Sequence, residues 1–342
     1  MMNILVCSSQ VPFERGGAEM LAESLVAALQ ARGHRADLVA LPFKWYPKSE
    51  ILKSALAWRL VNLIESDAIH VDRLIATKFP SYTARHPHKV VWLVHQLRQV
   101  YDWYQTPLSD FGDAPADQKV RQQIIELDRR ALGEARARFA ISKNVAARLA
   151  RFNGLNATPL YPPPRLTGRF RSGEYGDSIL YVGRLDRAKR VDLLIRALAH
   201  TRHGRAVIAG TGPEAAPLQD LARACGVASR VEFAGYVDDE CALALYASAR
   251  AVYYAPVDED YGFATVEAYL SERPVITTGD AGGVLEFVDH EIDGLVTPPE
   301  PQALAESIAR VLEDEGRCRT WGRAGHERVK DITWDRVIDA LV

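Results

Sequence analysis

The chain has 342 residues, 48% of them hydrophobic and 25% charged, with a formal net charge of −2. This balance belongs to a globular protein long enough for two domains; local patches aside, it holds no bulk positive excess that would demand nucleic acid as a partner, and none is expected. No apolar run approaches the ~18 residues that a membrane span needs, so any membrane contact is expected to be peripheral.

Short apolar runs alternate with amphipathic stretches, the pattern of parallel sheets covered by helices. Met1-Met2-Asn3 leads straight into Ile4-Leu5-Val6-Cys7, so a strand over residues 3–8 and no secretory leader are expected. Ala18, Leu21, Ala22, Leu25 and Leu29 then recur at helical spacing, and Gly33 closes that helix. Further strands are expected at 36–41, 74–77, 90–94 and 138–141. Residues 113–117 are polar and contain proline, which suggests a mobile loop. Residues 158–177 hold four prolines and three glycines with Arg165, Arg169 and Arg171 between them, the composition of a linker. The alternation then restarts, with strands expected at 178–182, 206–209, 231–234, 251–255 and 274–277. Helical segments at 301–313 and 317–329 precede a final stretch from Thr333 to Ile338. Cys7, Cys225, Cys241 and Cys318 are scattered with no metal-ligand spacing, so reduced, structural cysteines of a cytoplasmic protein are expected.

Two similar α/β domains follow, and doubly wound domains bind ligands at the carboxyl ends of their strands. Three segments carry chemistry there. Asp258-Glu259-Asp260-Tyr261-Gly262-Phe263-Ala264-Thr265-Val266-Glu267 follows one strand and opens a helix over 263–270. Backbone N–H groups at such a helix start suit a phosphate. Glu259 precedes the helix, and Glu267 lies one and a half turns into it, where a carboxylate accepts from hydroxyls. Tyr181-Val182-Gly183-Arg184-Leu185-Asp186-Arg187-Ala188-Lys189-Arg190 ends a strand in a turn with two cations, Arg184 and Lys189, suited to one diphosphate. Phe13-Glu14-Arg15-Gly16-Gly17-Ala18-Glu19 joins the first strand to its helix. Its paired glycines permit close backbone approach, although the dinucleotide spacing G-x-G-x-x-G is missing. Read singly, an acidic loop, a solvated basic turn and an ordinary glycine turn are the competing explanations.

Together, in this order, the three segments resemble the family 4 retaining glycosyltransferases of GT-B fold. Ile208-Ala209-Gly210-Thr211-Gly212, Val231-Glu232-Phe233-Ala234-Gly235-Tyr236-Val237 and Gly282-Gly283-Val284 with Gly294-Leu295-Val296 extend the resemblance. Val284 stands where the family often has proline. The resemblance implies two Rossmann-like, doubly wound domains facing a central cleft. Residues 1–164 would be the acceptor side and 165–329 the donor side, with a terminal helix near 330–342 packing back onto the first. It implies that Arg184 and Lys189 hold the donor diphosphate, Glu267 the ribose, and Glu259 the donor sugar. Gly262, Phe263 and Ala264 would offer N–H groups, Gly17 would approach the diphosphate from the other domain, and Gly210, Thr211 and Val237 would flank the base. His95, after the strand at 90–94, resembles the histidine near the transferred sugar; capping of a strand end is the plainer reading. Ser142 and Lys143 occupy another turn of this kind, or Ser142 simply caps a helix.

The implied reaction moves a hexose, with retention, from a UDP- or GDP-linked sugar to a glycan or lipid-linked glycan in polysaccharide assembly. Neither metal nor cofactor is expected, the nucleotide sugar being a co-substrate. Trp45, Tyr46, Trp92, Tyr101, Trp103 and Tyr104 are candidates to stack on acceptor sugars, or are core. Arg136, Arg138, Lys143, Arg148 and Arg151 form a run that a lipid diphosphate or anionic membrane would suit, as would a solvated helix face. A nucleotide-sugar epimerase and a non-catalytic sugar-nucleotide-binding protein remain as alternatives.

Overall fold

The structure, a computed structural model, describes residues 1–13 and 16–342. Glu14 and Arg15 of the glycine turn lie outside the described residues. The chain divides into two compact units. Unit 1 is Met1–Arg165 with Thr333–Val342, and unit 2 is Leu166–Ile332.

In unit 1, chain order is β1 (Asn3–Gln10), α1 (Gly17–Ala31), β2 (Arg35–Pro42), α2 (Ser49–Leu60), β3 (Glu65–Ser66), β4 (Ile69–His70) and β5 (Arg73–Lys78). Then come β6 (Lys89–His95), α3 (Pro115–Gly133), β7 (Ala137–Ala140), α4 (Lys143–Asn153) and β8 (Thr158–Pro159). The strands form a sheet of order β2-β1-β5-β6-β7-β8, parallel throughout. β3 and β4 make a separate antiparallel hairpin. Unit 2 runs β9 (Ser178–Val182), α5 (Val191–Ala199), β10 (Arg205–Ala209), α6 (Ala215–Ala224), β11 (Val231–Gly235), α7 (Asp239–Ser248) and β12 (Ala251–Tyr253). It continues through α8 (Phe263–Leu270), β13 (Val275–Thr278), β14 (Gly294–Thr297), α9 (Pro301–Glu313) and α10 (Glu315–Val329), and α11 (Trp334–Leu341) ends the chain. Its sheet order is β11-β10-β9-β12-β13-β14, again parallel.

The continuous apolar runs exist because both sheet faces are covered. Val91, Trp92 and Leu93 in β6 and Ile179, Leu180 and Tyr181 in β9 are all fully buried. α1 buries Leu21, Ala22, Leu25 and Leu29, and Gly33 follows it at φ 82°, a left-handed stop. α11 packs on unit 1. Arg32 pairs with Asp335 and Asp339, Arg73 donates to the Leu341 carbonyl, and Trp334 meets Trp92 edge-on at 6.3 Å.

Several expectations from the sequence need correction. Residues 115–117 are the first turn of α3, with Pro115 at its start, where its missing N–H and fixed φ are favourable. Asp117 there pairs with Lys48 and accepts from Gly112 N–H. The stretch read as a linker is anchored: Phe170 and Tyr175 are buried, Phe170 against Tyr246 and Tyr175 beneath Arg273. Of the aromatics weighed as sugar platforms or as core, Trp92 and Tyr101 are core, buried because their polar atoms find partners: Leu160 O for the indole and Asp128 for the phenol. Cys241 is exposed in the first turn of α7. β12 is shorter than expected, so Tyr254 and Ala255 belong to the loop beyond it.

Two buried ionic groups generate predictions. Asp128 is fully buried, accepts from Tyr101 Oη at 2.7 Å, and burial pushes its carboxyl up to about 7 against the hydroxyls of Tyr101 and Tyr82. An unfolded aspartate titrates near ~4, so this group's contribution is complete below that pH and is lost as pH rises through about 7. The stability difference between Asp128→Asn and the native chain should therefore grow in favour of Asn from pH 4 to pH 7. Urea unfolding at a series of pH values measures it, and a pH-independent difference would refute the assignment. Arg273, also fully buried, donates to the carbonyls of Tyr246, Gly173 and Ala247. Arg273→Leu orphans them and should cost unit 2 about 3 kcal/mol, read as a lower denaturation midpoint.

Candidate active site

In unit 2 the chain leaves β9 towards β10 and β11, then crosses to the other side for β12, β13 and β14. β9 and β12 are neighbours whose following segments diverge, which makes a topological switch point and opens a crevice beyond their carboxyl ends. The two loops there are the segments singled out above, one holding Arg184 and Lys189, the other Glu259.

Their side chains meet. Lys189 Nζ forms an ion pair with Glu259 Oε2, and Tyr254 Oη lies 3.2 Å from the ammonium and donates to the same carboxylate oxygen at 2.8 Å. The Tyr254 ring centroid is 5.6 Å from Nζ, and Tyr181 stacks on that ring at 6.4 Å. The side chains of Lys189 and Glu259 are 21% and 16% exposed. Burial disfavours both charges, yet pairing outweighs it: Lys189 is held above its usual value by Glu259. Glu259 falls below the usual carboxylate range, burial being outweighed chiefly by Lys189 and the Tyr254 hydroxyl. Burial, then the Glu259 charge, keeps the Tyr254 phenol protonated as a donor.

The backbones are tied as well. Val257 N–H donates to Ala188 O, Glu259 bridges to Gly282, and Gly283 N–H donates to Glu259 O. Arg190 fastens the first turn to the second through the carbonyls of Ala255 and Pro256 and the side chains of Thr278 and Asp280. Gly262 caps α8 at φ 92°, where a Cβ would lie 2.8 Å from Val284 Cγ2. Half-buried Phe263 and buried Ala264 follow in the first turn, so their N–H groups sit at the positive end of the helix. Glu267 is held by the buried Tyr246 hydroxyl at 2.7 Å. Arg184 is exposed, and its carbonyl accepts from Tyr181 Oη. Gly210 touches the Gly183 carbonyl so closely that no Cβ fits, Thr211 is exposed beside it, and Val237 is half-buried after β11.

Unit 1 has its own switch point, between β1 and β5. Gly16 caps α1 and Gly17 is its first residue. Glu19 accepts from Gly16 N–H at 2.9 Å and pairs with Lys78 at the end of β5. Although burial raises the Glu19 carboxyl, Lys78 and Gly16 N–H bring it below its usual value. His95 ends β6, its Nδ1 2.8 Å from Gln96 O, so that nitrogen carries the proton. Ser142 caps α4 through Val145 N–H. The run from Arg136 to Arg151 shares no face: Arg148 is buried against Asp102, and Arg138 donates to carbonyls of Leu132, Ala135 and Asn156. Among the described residues no three His, Cys, Asp or Glu side chains gather as a metal site.

Tyr254, Tyr181, Tyr246, Glu19 and Lys78 were missed in the sequence. The available signal was position at a strand end: Tyr254 lies near the close of the apolar run 251–255, and Lys78 directly follows the run 74–77.

Residues 169–328 match the family described as glycosyl transferases group 1. A GDP-mannose-dependent alpha-(1-6)-phosphatidylinositol monomannoside mannosyltransferase of Mycobacterium tuberculosis is 36% identical over 224 residues, 60% of this chain and 58% of that protein. An uncharacterized glycosyltransferase of Methanocaldococcus jannaschii is 35% identical over 48% of this chain and 43% of its own length. The chain thus spans about half the length of the curated relatives it matches. Sucrose-phosphate synthase from Thermosynechococcus elongatus has a similar structure, with TM-score 0.75 at 20% identity over 99% of this chain and 97% of that one. An Anabaena protein in complex with UDP-glucose aligns with TM-score 0.73 at 18% identity, over 100% and 98%. The match to the glycosyl transferases group 1 family thus lies over residues 169–328, within unit 2, and the likeness to the solved structures is one of fold, two parallel-sheet α/β units of the GT-B kind.

Proposed function

We propose that the chain is a retaining glycosyltransferase that moves a hexose from a nucleoside-diphosphate sugar to a glycan or lipid-linked glycan acceptor in polysaccharide assembly. The observation that carries this reading is the meeting of Lys189, Glu259 and Tyr254 across the switch point of unit 2. A cation, an ionised carboxylate and a helix start within one family-matched segment are what a sugar diphosphate requires.

In this reading the acceptor hydroxyl attacks the anomeric carbon on the face from which the diphosphate departs. The bond from that carbon to the phosphate oxygen breaks, and the hydroxyl proton passes to the departing phosphate. Arg184, Lys189 and the N–H groups of Phe263 and Ala264 offset the charge that develops there, so no metal is invoked. Glu259 orients the sugar hydroxyls, Glu267 accepts from the ribose, and Gly210, Thr211 and Val237 flank the base. On unit 1 the reading assigns Gly17 to the diphosphate and His95 to the sugar. The reaction belongs in the cytoplasm, with membrane contact only through a lipid-linked acceptor. GDP-mannose is the first donor to test, supported by the name of the mycobacterial relative. UDP-glucose follows, supported by the Anabaena complex.

Nucleotide release from a panel of GDP-, UDP-, ADP- and dTDP-sugars tests this, with mannosylated lipid and glycan acceptors pooled. Release from one donor is expected, lowered on the order of 10²-fold or more in Arg184→Ala and in Glu267→Ala, and the product anomer read by NMR should match the donor. Interconversion of the donor without transfer would establish an epimerase instead, and binding without release a non-catalytic protein.

A further inference from the structure

Lys189 does not present a bare ammonium. The Glu259 carboxylate and the Tyr254 hydroxyl hold it, and Tyr254 also donates to that carboxylate, so the three groups close a triangle. Neither charge is placed to swing away on a loose backbone. Glu259 N–H donates to Ala281 O at 3.1 Å and its carbonyl accepts from Gly283 at 2.8 Å. Behind it Gly282 passes so close that a Cβ would lie 2.7 Å from Glu259 N. The Lys189 turn is joined to the same loop by Val257 N–H and by Arg190.

An anion reaching this ammonium therefore meets a pair with no net charge. Attraction to Nζ is opposed by repulsion from a carboxylate one hydrogen bond further on, in a partly buried place where water screens both weakly. Two ligands of the site feel this differently. A sugar diphosphate brings hydroxyls that can donate to the carboxylate. A nucleoside diphosphate lacks the sugar's hydroxyls, its ribose hydroxyls being assigned to Glu267, and adds negative charge at its terminal phosphate. We propose that Glu259 is an electrostatic counterweight that weakens retention of the nucleoside diphosphate relative to the intact sugar donor, and that Tyr254 is the positioning residue that keeps the carboxylate at the ammonium. The proposal rests on the donor-site reading given above and adds a product-release role to it.

Calorimetric titration of GDP, UDP, ADP and dTDP into the full chain tests it. Glu259→Gln keeps the shape and removes the charge, and it should bind the preferred nucleoside diphosphate at least tenfold more tightly than the native protein while kcat falls. Glu259→Ala removes the carboxylate altogether and should tighten binding as well, an independent reading if the Gln variant folds poorly. Tyr254→Phe keeps the carboxylate charge but loosens its hold at the ammonium; nucleoside-diphosphate affinity should rise, by less than in Glu259→Gln, while kcat drops, and an unchanged affinity would overturn the positioning role. Lys189→Ala separates the two levels of the argument. Affinity lost in Lys189→Ala but not raised in either Glu259 variant overturns the counterweight and leaves the donor site standing. No binding of GDP, UDP, ADP or dTDP to the native protein overturns the donor site itself.

Discussion

The Lys189–Glu259 pair depends on one constraint of connectivity: β9 and β12 lie side by side although seventy residues of chain separate their loops' charged groups. In a parallel sheet all carboxyl ends point the same way, so the segments leaving β9 and β12 emerge together and then diverge to opposite sides. The pair bridges that divergence. Because pairing of partly buried charges returns little net stability against their desolvation, its value lies in geometry. It fixes where a cation and an anion stand relative to the start of α8.

The glycines serve the same geometry. At Gly210 and Gly283 the backbone comes too near another strand or loop for any side chain, and at Gly262 a left-handed turn lets α8 begin directly beneath Tyr254. Substituting a larger residue at these places would move a loop whole, and with it the charged groups it carries. The loops are thus rigid although they lie outside the strands, held by Val257, Gly283 and the five hydrogen bonds of the Arg190 side chain.

Much of this was legible in the residues. Continuous apolar runs marked the buried parallel strands, and glycines beside acids and bases marked the loops that follow them. Other features were not legible, for a common reason. Tyr254 reads as the end of a hydrophobic strand until β12 is seen to stop at Tyr253. Lys78 reads as an ordinary strand-end lysine until Glu19, fifty-nine residues earlier, reaches it. Residues 158–177 read as linker because four prolines and three glycines outnumber the aromatics, of which Phe170 and Tyr175 are buried and decide the position of the stretch. The basic run from Arg136 to Arg151 shows the converse: close in sequence, its members diverge because a strand and a helix divide them. Local composition reports propensity, whereas pairing across a sheet is set by topology.

The two units answer the same problem with the same chemistry in different order. Each has a parallel sheet with a switch point, a glycine at the start of the helix beside it, and a lysine–glutamate pair at the strand ends. In unit 1 the acid lies inside the first turn of α1 and spends one oxygen on Gly16 N–H, so the pair is turned inward and steadies the glycine turn. In unit 2 the acid lies before the helix, its carboxylate is shared with a tyrosine hydroxyl, and the α8 N-terminus begins with glycine and no side-chain cap. The first arrangement consumes the helix N-terminus internally, while the second keeps acid, cation and helix start as separate groups. Under the donor-site reading proposed above, that difference in where one carboxylate sits would give recognition of the diphosphate sugar chiefly to unit 2, while the pair in unit 1 acts as a brace.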